Sequence, residues 1–179
     1  MKYQIVFVFG INLLSYQYFG GVDLLAIEGV SQATALALMS EVGNGIHKFE
    51  TAKQFASWLR LAPNNKISGG KMLSSRIPKG SNRLKIALRN AANAIGNLKD
   101  TALSSFFKRI AFRKGRPAAI SATARKLAVI IWNMIVKGIP YKSENDYEFL
   151  DQKRKRKVQE MKKLIHKFDI KINDLGLQV

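Results

Sequence analysis

The chain has 179 residues, 47% of them hydrophobic and 23% charged, and no cysteine. That is enough apolar content for one core or two small ones, and it excludes a disulfide framework and thiolate zinc sites, in keeping with a reducing, cytoplasmic setting. A formal charge of +18, with Asp100 the single acid between Lys53 and Lys137, calls for a polyanionic partner, nucleic acid ahead of an anionic membrane.

Residues 1–20 are apolar and aromatic, with Lys2 their only charge. Asn12, Ser15 and Gln17 interrupt the run and no small-x-small cleavage site follows, so a signal peptide is not expected. This leader is expected to be a strand, or a remnant of an altered upstream region. From Asp23 the spacing turns helical: Leu24, Leu25 and Ile27 precede Glu28-Gly29-Val30-Ser31, and Ala33, Leu36, Ala37 and Val42 follow. Two helices joined by a tight turn at Gly29, with Ser31 capping the second, make a helix-hairpin-helix candidate over about 23–43. It resembles the backbone-binding hairpin of repair and recombination proteins, and that resemblance implies amides that hold a phosphate. An ordinary packing turn accounts for the same residues equally well, since Gly commonly ends helices and Glu28 is no phosphate binder. Gly43-Asn44-Gly45 stops the second helix, and Thr51 caps a short one that buries Phe55, Trp58 and Leu59 before Pro63. Trp58 is expected to be a core anchor.

The stretch over about 62–82 carries the sharpest chemical signal. Ser68 is followed by Gly69 and Gly70, which allow close approach of a ligand, and is surrounded by Lys66, Lys71, Arg76, Lys79 and Arg83. Ser81 or Asn82 caps the next helix, whose positive end would face an anion. A solvated lysine-rich loop is the plainer reading of the same residues. Leu84, Ala87, Leu88, Ala91 and Ile95 then form an apolar face, leaving Arg83, Lys85, Arg89 and Asn90 on a basic side.

Asp100 or Thr101 opens a helix with Leu103, Phe106, Phe107 and Ile110, closed by Arg113-Lys114-Gly115-Arg116. Pro117 suits the first turn of a long apolar helix through Ala124, Leu127, Ile131 and Ile135 to Gly138. Arg125, Lys126 and Asn133 interrupt it too often for a membrane span, so no membrane partner is expected. Residues 141–179 form a basic tail, helical from Asp151 toward His166, either solvated or touching nucleic acid non-specifically. The fold class is all-α. His47 and His166 are the only histidines and the acids do not cluster, so no metal site is expected in this chain. A Ser68 nucleophile would need its base from elsewhere.

Leu24 to Gly43, Trp58-Leu59-Arg60-Leu61-Ala62-Pro63, Ser68-Gly69-Gly70-Lys71, and Ile77-Pro78-Lys79-Gly80-Ser81-Asn82 leading into Leu88 and Ala91-Ala92 resemble the C-terminal domain of insertion-sequence transposases of the IS110 type, over about residues 21–140. The resemblance implies a DNA recombinase that works as a homo-oligomer with an element-encoded guide RNA. In that family an N-terminal RNase-H-like domain bears four acidic ligands for divalent metal, and the C-terminal domain bears a serine nucleophile. Carried over, the serine is Ser68, attacking a DNA phosphodiester to give a phosphoserine-linked strand, with Lys71 and Arg83 beside the phosphate. The binding set is then Gly29, Ser31, Lys66, Gly69, Gly70, Lys71, Arg76, Lys79, Ser81, Asn82, Arg83, Lys85 and Arg89. Residues 1–20 stand where the acidic domain is expected, so the chain resembles a truncated or split copy, inactive alone. Lys85 replaces a frequent arginine, which removes bidentate phosphate geometry. The reading from another class is a non-catalytic helix-hairpin-helix module that binds nucleic-acid backbone.

Overall fold

A computed structural model describes residues 2–80, 82–99, 101–142 and 146–168, and it is mostly helical. The chain divides into two units, residues 1–143 and 144–179. In the first, α1 (Lys2–Tyr18) and a single 3-10 turn (Leu24–Ala26) lead to α2 (Gln32–Glu41), a second 3-10 segment (Gly43–Lys48) and α3 (Ala52–Trp58). Two short strands follow, β1 (Lys66–Ser68) and β2 (Lys71–Ser74), then α4 (Arg83–Ile95), α5 (Ala102–Lys114) and α6 (Arg116–Lys137).

The core is built around α6, which packs against α3, α4 and α5. Its Ala124, Leu127, Ala128 and Ile131 are buried against Phe55, Leu84, Leu88 and Ile95 of the surrounding helices. Each fully buried leucine here removes enough apolar surface to favour folding by about 2 kcal/mol. By length and apolarity α6 would cross a membrane, but more than half of its apolar window is buried inside this fold, as expected of a core helix. The Trp132 indole N–H donates to the Phe49 carbonyl at 3.1 Å, fixing α6 to the entry of α3.

The helix starts follow their expected chemistry. Thr51 accepts from the Gln54 amide at 3.2 Å, Asn82 from that of Lys85 at 2.7 Å, and Thr101 from that of Ser104 at 3.1 Å. Gly138 closes α6 in the left-handed region, with φ 63°. Asp100, the other expected cap, lies outside the described residues, as does Ser81.

Four expectations are corrected. The leader is a helix, α1, and not a strand: it closes on Gly20 and Gly21, whose amides donate to Gln17 and Tyr16 carbonyls at 3.2 and 2.8 Å. That pair of bonds is a Schellman stop, which Gly-Gly supplies through positive φ. The helix-hairpin-helix has only one α-helix, because the residues between Gly21 and Gly29 suffice for one 3-10 turn, capped by Asp23 on the Leu25 amide. Trp58 is 42% exposed, and fully buried Phe55 is the anchor. Trp58 lies at the edge, with its ring centroid 5.6 Å from Phe49 and 6.3 Å from Phe55. Lys85, expected on the basic outer side of α4, is buried.

The second unit contains α7 (Asp146–Phe168), a charged helix exposed at Arg154, Lys155 and 157–168, with a Lys157–Glu160 ion pair at 3.3 Å.

Candidate functional site

The expected serine loop is an antiparallel β-hairpin. Ser68 pairs with Lys71 and Ile67 with Met72, and the connection is the two residues Gly69 and Gly70, with φ 55° and 74°. Positive φ at both positions is the type I′ turn, which suits the twist of paired strands and strongly favours residues without a Cβ. Ser68 is therefore the last strand residue before the tip, exposed, with Lys71 directly across from it. Lys66 stands two positions earlier on the same strand, and Lys66, Gly69, Gly70 and Lys71 are all exposed.

The base of this arm is fastened at three places. The Asn64 amide donates to the Arg76 carbonyl at 3.0 Å. Arg60 donates from Nη1 to the Lys79 carbonyl at 2.5 Å, and Lys85 from Nζ to the Gly80 carbonyl at 2.8 Å. Gly80 has φ 98°, and a Cβ built there would lie 2.0 Å from Arg60 Nη1, so the guanidinium reaches the carbonyl only past a residue without a side chain. Arg60 itself has φ 53°, the one positive value at a non-glycine among the described residues. It ends α3 in the left-handed region, a conformation that costs an L-residue about 1–2 kcal/mol. Burial, and then the charges of Arg89 and Arg60, lower the Lys85 pKa below the ordinary lysine value.

Beyond the base, two grooves flank α4 and share Ile86 and Asn90. One, of about 490 Å³, runs between α4 and Ile77–Gly80 and is lined by Lys79, Lys85, Arg89 and Ser121. The other, of about 390 Å³, lies between α4 and the Gly29 turn and includes Ser31, Thr34 and Arg83. Arg89 donates to the Ser121 hydroxyl at 2.9 Å, which aims it across toward α6. The sequence-derived residues thus fall into two groups: a hairpin set around Ser68, and a groove set of Gly29, Ser31, Lys79, Arg83, Lys85 and Arg89. Asn82 caps α4 between them and Arg76 sits at the arm's base.

Two of these residues have structural duties. Lys85 is a clamp on the Gly80 carbonyl. At Gly29, with φ 77°, a Cβ would stand 2.6 Å from Ile95 Cγ1 and 2.9 Å from the Ala91 carbonyl oxygen, so close packing on α4 accounts for this glycine. Ser31 occupies the N-cap of α2 without a side-chain cap bond, its hydroxyl lying 3.4 Å from that of Thr34. Sequence reasoning missed Arg60 as a site residue. Its one signal was an arginine just after the α3 pattern ends.

The model of the IS116/IS110/IS902 transposase family matches residues 23–108, from the Gly29 turn through the hairpin and α4 into α5. Over these residues the chain is an IS110-type transposase domain. Among similar proteins, a "probable family 20 transposase" of Pseudomonas aeruginosa is 30% identical over 123 residues, 66% of this chain and 36% of that protein. The "transposase for insertion sequence element IS1111A" of Coxiella burnetii is 31% identical over 121 residues, 65% of this chain and 33% of its own. An "insertion element IS110 uncharacterized 43.6 kDa protein" of Streptomyces coelicolor is 32% identical over 121 residues, 67% of this chain and 30% of its own. The chain spans about a third of the length of these transposase-family relatives.

Among the described residues no three His, Asp or Glu side chains come together as a metal site. The divalent metal that the family resemblance implies therefore has no cradle among them.

Proposed function

We propose that this chain is the serine-bearing, DNA-handling part of a transposase, with Ser68 as the group that attacks a DNA phosphodiester. The observation that carries this reading is the placement of Ser68: an exposed hydroxyl beside Lys71 at the tip of a hairpin whose base is held by Arg60 and Lys85. Such an arm carries a hydroxyl out to a polyanion, and its cations counter the charge that grows on phosphorus oxygens during attack. In the step, a bond forms between Ser68 Oγ and phosphorus, and the bond from phosphorus to a deoxyribose oxygen breaks. The departing oxygen takes a proton, and the hydroxyl proton goes to a base outside the described residues. One phosphate ester replaces another, so the exchange needs no energy source.

Lys79, Arg83 and Arg89 hold the DNA backbone along α4, and Lys85 keeps the arm in place. Such binding reads phosphates and not bases, so affinity should fall steeply between low and moderate salt. Assembly as a homo-oligomer with a guide RNA belongs to the same proposal.

Labelled DNA and a full-length family member whose own serine is replaced test the assignment on a denaturing gel. A covalent adduct on this chain that disappears in Ser68→Ala, with DNA binding retained, is the expected result. An adduct that persists in Ser68→Ala, or that maps to Ser74 or Ser75, would sink it. Salt-dependent DNA binding with no adduct under any of these conditions would favour a non-catalytic backbone-binding module.

A further inference from the structure

The corner where α5 meets α6 lies outside the hairpin and the two grooves that flank α4. Phe112 on the last turn of α5 is 94% exposed, the most exposed large apolar side chain among the described residues. Its neighbours on the same helix behave otherwise. Phe107 is buried, and Phe106 has Lys126 Nζ 4.8 Å and the Arg109 guanidinium 5.6 Å from its ring centroid. A lone exposed apolar residue needs no explanation by itself. The setting of Phe112 is what gives it meaning. Lys108 and Arg109, four and three residues earlier, share its helix face, Arg113 and Lys114 follow it, and Arg116 opens α6 after the single residue Gly115. All five cations are exposed, and from Thr101 to Lys142 the sequence has no acid.

A ring standing clear of the fold within a field of one sign matches one class of partner by charge and shape. Duplex nucleic acid offers phosphates but keeps its base faces stacked inside. A folded protein offering an apolar pocket would need to bring compensating acids. An unpaired strand offers both a base face and flanking phosphates. We infer that the α5–α6 corner is a docking surface for an unpaired nucleic-acid strand, with Phe112 as the stacking platform for one base and Arg113 and Lys114 as phosphate contacts. The inference rests on the nucleic-acid reading proposed above and adds a second contact surface to it.

Binding of the full chain to a labelled single strand of about 12 nucleotides and to the matching duplex tests this. Phe112→Ala should weaken single-strand binding by about 5- to 100-fold and leave duplex binding within about twofold, while Phe112→Tyr keeps both. Arg113→Gln combined with Lys114→Gln should flatten the salt dependence of single-strand binding, with the logarithmic slope smaller by about 1–1.5. Because Phe112 makes no buried contact, circular dichroism should show these variants folded as the parent.

Unchanged single-strand binding in Phe112→Ala, with duplex binding intact, overturns the corner assignment alone. Equal loss on both substrates overturns the stacking role. Failure of the parent chain to bind either substrate overturns the broader reading as well. A dimer in sedimentation that dissolves on Phe112→Ala, with strand binding unchanged, shows that a second copy covers the ring and overturns the proposal.

Discussion

Leu84, Leu88, Ala92 and Ile95 on α4 are all fully buried, whereas Ile67, Met72 and Leu73 on the neighbouring hairpin keep 61–69% of their surface exposed. The helical body is held by apolar packing around α6. The arm is held by a glycine turn at one end and by three hydrogen-bonded ties at the other. Regions with few buried contacts open at lower free energy than the core they hang from, so the two parts should respond to substitution independently. This separation suits the proposed role, in which a rigid body grips phosphate and an adaptable arm presents the Ser68 hydroxyl.

The sharpest way to break the body is Gly29→Val. It forces a β-branched residue to positive φ and drives its Cβ into Ile95 and the Ala91 carbonyl, so a loss of about 2–5 kcal/mol in urea unfolding is expected. A loss below about 1 kcal/mol would mean that the Gly29 turn is not packed on α4 as described. Breaking the arm should look different. Gly70→Val places a side chain at φ 74° in the turn, costing about 1–2 kcal/mol locally. Amide exchange of residues 66–74 should quicken by about tenfold while the unfolding midpoint of the body stays put. A shift of the whole transition would show that arm and body are one cooperative unit.

Lys85→Met sharpens the comparison at the joint. The charged form of Lys85 is disfavoured by burial and by Arg89 and Arg60, so its folded pKa lies below the ordinary value of 10.5. Between those two values the unfolded chain binds more protons than the folded one, so this group makes stability rise with pH through that window. Replacement by Met should remove that part of the rise and loosen the arm, while changing stability at neutral pH little. A pH profile identical to the parent's would count against a buried, desolvated Lys85. The smallest effect belongs to Ser68→Ala: exposed at the tip, it should alter stability by less than about 0.5 kcal/mol in a thermal melt. A larger loss would reveal a structural duty for that hydroxyl.

What the sequence made legible was what local rules decide. Thr51, Asn82, Thr101, Pro117 and Gly138 mark helix ends by side-chain chemistry, and the α4 and α6 faces follow from spacing. The arm was hidden although its signal was present: Ile67-Ser68-Gly69-Gly70-Lys71-Met72 is a Gly-Gly pair between short alternating segments, but its lysines and glycines suit a solvated loop equally well. Gly20-Gly21 likewise announced the end of a helix where a strand was expected. The inward turn of Lys85 and the outward placement of Trp58 are tertiary facts. Each depends on which neighbour occupies the space beside it, and no period in the sequence records that.

Arg60 gives this architecture an evolutionary asymmetry. A glycine at that position would relax the left-handed backbone and leave the α3 ending as firm as before or firmer, yet it would release the Lys79 carbonyl and with it one tie on the arm. A survey that ranks variants by thermal tolerance would score the change as neutral or beneficial. Only an assay of what the arm delivers would register the loss, so selection for durability alone would erode this residue first.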